Sequence, residues 1–114
     1  MPRLPNAELA VIDAWKITRY LLAINHPVGG PKAYFFRQAG YRLASWTELR
    51  DTLHGHASSA DLVSVRKMEF GMKYTLEGPI MTPSGRTPRI RTVWIIDPGE
   101  TAPRLVTAYP LAAR

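Results

Sequence analysis

The hydrophobic positions of this chain change rhythm once. Before about residue 60 they recur at helical spacing, and after Asp61 they alternate. In the first half, Ile17, Leu21 and Ile24 share one helical face with Tyr20 between them, while Lys16 and Arg19 fall elsewhere, which predicts a helix over Ala14 to Ala23 with Asp13 as its cap. Ala10-Val11-Ile12 ahead of it reads as a short edge strand. Pro27 pushes the preceding residue out of the α region, and Gly29-Gly30 supplies the positive φ of a turn, so this helix stops near Asn25. Pro31 suits the first turn of a second helix, Pro31 to Gln38, and Gly40 is placed to end it. A third helix is predicted from Ser45, which forms an S-x-x-E capping box with Glu48, through Trp46, Leu49 and Leu53 to about His54. HGHASSAD then reads as a loop, with His54 and His56 exposed.

Four strands come next: Leu62 to Phe70, Met72 to Ile80, Arg89 to Asp97 and Arg104 to Tyr109. Thr82-Pro83-Ser84-Gly85 and Asp97-Pro98-Gly99 are the turns between the later ones. No crossover helix separates the strands, which disfavours a parallel βαβ fold. The fold class is therefore α+β: two or three N-terminal helices packed on a four-stranded antiparallel β-sheet. At 114 residues the chain is expected to form a single domain, 1–114.

Composition narrows the chemistry. With no cysteine, disulfides, thiolate nucleophiles and Cys-based zinc sites are out, and the two close histidines, His54 and His56, lack the third ligand a metal would need. Neither a metal nor another cofactor is expected. No stretch approaches the roughly 18 apolar residues of a membrane span, and the N-terminus lacks the pattern of a signal peptide. A cytoplasmic protein, or a delivered effector domain, is the expectation, with no membrane partner. The net charge of +6 favours a polyanionic partner.

The reactive groups crowd into Asn25 to Gly40, NHPVGGPKAYFFRQAG. His26 is the best candidate for general acid–base work, because histidine is the one side chain that ordinarily titrates near neutrality. Lys32 lies at the start of a helix, where backbone N–H groups favour an anion. The full G-x-x-x-x-G-K-[ST] phosphate loop is absent. Strand alternation sets Ile90, Thr92, Trp94 and Ile96 against Arg89, Arg91, Val93 and Ile95, and Leu105, Thr107 and Tyr109 against Arg104, Val106 and Ala108. Thr92 and Thr107 are candidate phosphate-oxygen ligands, and Arg86, Arg91 and Arg104 candidate phosphate contacts. Trp94 is a candidate substrate contact, since an exposed ring stacks unpaired bases.

The pieces H-P-V-G-x-x-K-A-x-F-F, P-x-G-R, T-V-W-I-I-D and P-R-L-V-T-A-Y-P together resemble a bacterial family, domain of unknown function 6883, from Leu4 to Pro110. A looser resemblance, in the order of elements, is to the barnase, EndoU, colicin and RelE type of ribonuclease fold. That resemblance implies a metal-independent ribonuclease of toxin type. It would cut RNA by 2′-hydroxyl attack, with His26 moving a proton, Lys32 and an arginine holding charge, and an acidic immunity or antitoxin protein as partner. Only His26 stands in for the two histidines of some members. Two other readings stay open: a non-catalytic basic module binding nucleic acid or a partner protein, and a neutralising protein of a toxin system.

Overall fold

The period change at Asp61 marks a structural boundary. The structure, a computed structural model that describes residues 2–27 and 30–112, places three helices before one four-stranded antiparallel sheet and packs them on it. Val28 and Gly29 of the HPVGG turn lie outside the described residues. The strands are β1 (Asp61–Met68), β2 (Gly71–Pro79), β3 (Arg89–Ile96) and β4 (Arg104–Pro110), each pairing with the next. Gly99, at φ +80°, takes the position of the Asp97–Glu100 turn that only a positive φ satisfies, and the Glu100 N–H donates to the Asp97 carbonyl at 2.9 Å. Val11 adds one parallel bridge to the outer edge of β4, so the expected N-terminal strand is reduced to a single rung.

One face of the sheet carries the core. Ile90, Thr92 and Trp94 of β3 are fully buried together with Leu76 of β2 and Ala108 of β4, against Ile17, Leu21, Phe36, Leu49 and Leu53. The helices differ from expectation in two places. Regular α-helix covers only α1 (Ala14–Lys16), which continues as a π-helix over Ile17–Leu21, closed by the Leu22 N–H donating to the Ile17 carbonyl at 2.8 Å. The wider turn rotates the succeeding residues by about one position. Leu22 is buried as a result, and Ile24, expected on the core face, is half exposed.

α2 (Gly30–Gln38) ends as predicted on Gly40, at φ +103°. The Tyr41 N–H reaches the Phe36 carbonyl and the Gly40 N–H the Arg37 carbonyl, both at 3.0 Å, and the Tyr41 and Phe36 rings meet edge to face. This is the paired closure of a Schellman motif with its hydrophobic contact. The turn between β2 and β3 packs on this helix end, through the Ser84 N–H to the Ala39 carbonyl at 3.0 Å.

α3 (Trp46–Ser59) runs well past His54, and Ser45 makes no side-chain cap bond, so the capping box does not form. The expected HGHASSAD loop is helix because its residues extend the buried face of Leu49 and Leu53 through His56 and Ala57. His56 is buried, not exposed. Its Nε2 lies 3.2 Å from the Gly78 carbonyl and its Nδ1 2.9 Å from the Thr92 hydroxyl, which also accepts from the Trp94 indole N–H at 2.9 Å. A carbonyl only accepts, so Nε2 carries the proton, Nδ1 accepts from Thr92, and the imidazole, hydroxyl and indole of this network are all satisfied. Gly78 lets the helix end approach: a Cβ there would sit 3.1 Å from that of Ala60.

Burial lowers the pKa of His56 below its ordinary 6.5, with the Arg89 charge adding to it, and the bonds to Gly78 and Ile90 offset this only in part. The unfolded chain therefore takes up the proton first, and the contribution that His56 makes above about pH 6.5 is lost as pH falls below that value through the lowered pKa of the folded state. His56→Ala should cost roughly 2–4 kcal/mol near neutrality. It should also flatten the decline of stability on acidification, measured by urea unfolding of both proteins across that range. Parallel curves would show that His56 contributes nothing to the pH dependence.

Candidate functional site

The other face of the sheet depends on a register shift. Val93 pairs with Thr107 but Trp94 pairs with Leu105, so Val106 is an extra residue in β4. Strict alternation would set Arg104 on the face opposite Thr107. With the bulge, Leu105 and Ala108 enter the core, while Arg104, Thr107 and Tyr109 face the same way as their partners Ile95, Val93 and Arg91. α1 and α2 both run along β4, the edge of the sheet. Their side chains reach this second face around that edge.

Tyr20, in the π-helical turn, is the hub. Lys32 Nζ donates to the Tyr20 hydroxyl at 2.6 Å, and that hydroxyl lies 3.1 Å from the Thr107 hydroxyl. The His26 ring meets the Tyr20 ring edge-on, with centroids 5.1 Å apart. Lys16 Nζ stands 5.2 Å from the centroid of the same ring. Next along the face, Lys32 Nζ is 5.8 Å from the centroid of Tyr109, whose hydroxyl accepts from Arg91 at 3.2 Å. An ammonium and two hydroxyls are thus joined by hydrogen bonds, with an imidazole packed edge-on against the ring that carries one of those hydroxyls.

Charge is dense here and partly balanced. Arg91 is ion-paired with Glu77, and its pKa is raised by the bonds to Tyr109 and Glu77. Arg104 binds Asp97 at 2.8 Å, which raises the arginine and lowers the carboxyl. Lys16 is lowered, first by burial and then by Arg104 and Lys32, which outweigh the opposing pull of Tyr20 and Asp13. Burial by itself would raise the Tyr20 phenol. The bonds from Lys32 and Thr107 and the charges of Lys32 and Lys16 outweigh it, and the net shift is downward from 10.0.

Of the residues singled out from sequence, His26, Lys32 and Thr107 come together, and Arg91 and Arg104 flank them on the same face. Arg86 does not join them. It lies in the β2–β3 connection, at the Gly40 end of α2, about 13 Å along the helix from the Lys32 end. Thr92 and Trp94 are both 0% exposed. Alternation puts them on the helix-covered face, where they bond His56 and each other, so neither reaches a ligand on the second face. Sequence reasoning missed Tyr20, Lys16 and Tyr109. Two signals were present: Lys16 and Tyr20 are four apart in a helix, and Tyr109 is two from Thr107 in a strand. Among the described residues no group of three His, Cys, Asp or Glu side chains is placed to hold a metal ion, and no helix is long and apolar enough to cross a membrane.

Ultraviolet titration of the five tyrosines should show Tyr20 ionising below pH 10.0, a transition that Tyr20→Phe removes. In Lys32→Met that transition should move up, because a donor and a positive charge are lost together. An unchanged transition would mean that Lys32 does not govern the phenol.

None of the curated proteins matches the chain. Among solved structures, a chain of a contact-dependent growth inhibition toxin–immunity protein complex from Klebsiella pneumoniae 342 superposes with a TM-score of 0.73. It is 16% identical, over 94% of this chain and 97% of that one, a likeness of fold. The family described as a domain of unknown function (DUF6883) matches residues 3–112, nearly the whole length, and the chain belongs to that family.

Proposed function

We propose that this chain is a metal-independent ribonuclease of toxin type, acting on RNA by attack of a 2′-hydroxyl on the neighbouring phosphorus. The observation that carries the reading is the junction at Tyr20: His26, Lys32 and Thr107, from a loop, a helix and a strand, all converge on one phenol. The fold likeness to a chain from a growth inhibition toxin–immunity complex supports the toxin setting. The +6 charge fits an acidic immunity or antitoxin protein as partner, and the same fold likeness fits a delivered effector as the form in which the domain works.

In this mechanism His26 takes the proton from the 2′-hydroxyl as the bond from that oxygen to phosphorus forms. Lys32 and Arg104 stabilise the charge on the phosphorane, and Thr107 holds a non-bridging oxygen. The bond to the 5′-oxygen breaks, leaving a 2′,3′-cyclic phosphate. A second histidine is not needed to protonate the leaving oxygen. The Tyr20 hydroxyl, acidified by Lys32 and Lys16, gives that proton to the 5′-oxygen and regains one from water, while His26 releases to water the proton it took.

RNA cleavage in EDTA should yield 2′,3′-cyclic phosphate ends. His26→Ala and Lys32→Ala should each lower the rate by roughly 10²- to 10⁴-fold without unfolding the protein. Since Tyr20 must be protonated to act, activity should fall as pH rises through its lowered pKa, below 10.0, and Tyr20→Phe should remove that limb. Cleavage that survives both alanine changes would overturn the assignment. Salt-sensitive RNA binding without any cleavage would instead identify a non-catalytic basic module.

A further inference from the structure

Trp15 is 53% exposed, although it adjoins the most crowded part of the fold. Its neighbour Lys16 places Nζ 4.6 Å from the Trp15 ring centroid and 5.2 Å from that of Tyr20, so one ammonium bridges an open indole and the hub of the site. The other widely exposed rings lack this link. Phe70 sits in the β1–β2 turn at the far edge of the sheet, and Tyr34 has no cation over it among the described contacts. Trp94, the indole singled out from sequence for substrate contact, is sealed in the core.

We infer that Trp15 and Lys16 form a stacking subsite for an unpaired base next to the phosphate held at Tyr20, and that the substrate is therefore single-stranded RNA. A base in a duplex has both faces covered by its neighbours, and only an unstacked one can lie on an indole. Its phosphate would pass Lys16, whose charge is crowded by Arg104 and Lys32 and gains from an incoming anion. Asp13, one turn away, and Asp97, bound to Arg104, leave this rim less positive than its lysines and arginines alone suggest. Affinity should then owe as much to stacking as to charge. The inference deepens the ribonuclease reading and rests on it.

The test uses the full chain and a short 2′-O-methyl oligouridylate, which lacks the attacking hydroxyl, against a 2′-O-methyl duplex of equal length. The single strand should quench tryptophan fluorescence in the wild type. In Trp15→Phe, which keeps Trp46 and Trp94, that quenching should vanish while most of the affinity remains. Trp15→Ala should weaken single-strand binding by about ten- to a hundredfold and leave duplex binding unchanged. Equal single-strand affinity in Trp15→Ala, or an equal loss for the duplex, would overturn the subsite. If the wild type still cleaves RNA and His26→Ala does not, only the subsite has failed. If the wild type neither cuts RNA nor binds either probe, the ribonuclease reading fails and takes the subsite with it.

Discussion

One extra residue in the edge strand, Val106, decides what this protein presents to solvent. A sheet with one face sealed by helices has only its other face for function, and side-chain direction in a strand is binary. Pairing Trp94 with Leu105 and Val93 with Thr107 satisfies the core on one side and gathers Arg104, Thr107 and Tyr109 on the other. Without the bulge, either an arginine would point into the core or the threonine would. The bulge lets β4 be apolar toward the helices and polar along a continuous stripe on the second face.

The π-helical turn at Ile17–Leu21 plays the matching part on the helical side. Its buried residues, Ile17 and Leu21, anchor it in the core, and Leu22 closes it. Lys16 and Tyr20 are left to lean over the β4 edge, and α2 brings Lys32 to the same phenol. The loop between these elements holds the His26 ring against Tyr20 through packing, with the His26 N–H on the Ala23 carbonyl and the Gly30 N–H on the His26 carbonyl. Two irregularities, one in a helix and one in a strand, face each other across the site. Both are devices that re-aim side chains at small cost to the surrounding packing.

The two histidines with clear partners have opposite characters. His56 sits neutral in a dry network with Thr92, Trp94 and Gly78, which ties α3 to the middle of the sheet. His26 borders the cationic cluster on the far side of the same sheet. His56, buried and fully satisfied, holds structure, whereas His26 is only partly buried and packs edge-on against the Tyr20 ring. The Glu77 and Asp97 carboxylates pair Arg91 and Arg104 and offset part of the positive charge of this face.

Period and turn chemistry in the sequence were enough for the α+β class, the four antiparallel strands, the Gly40 stop and the turns at Gly85 and Gly99, because each of these arises from local backbone preference and alternation. The same local signals made the helical HGHASSAD segment look like a loop, since polar and glycine residues stay helical there only because His56 and Ala57 are buried against the sheet. Sequence singled out His26, Lys32 and Thr107, but could not tell Thr107 from Thr92, as both lie on strands among arginines and differ only in which face the helices cover. Tyr20 was invisible as a hub because its role comes from Lys32 and Thr107, 12 and 87 residues away. Element types were set by neighbours in the chain; the site was decided by a bulge and a π-turn, whose positions depend on contacts that form only when helices and sheet meet.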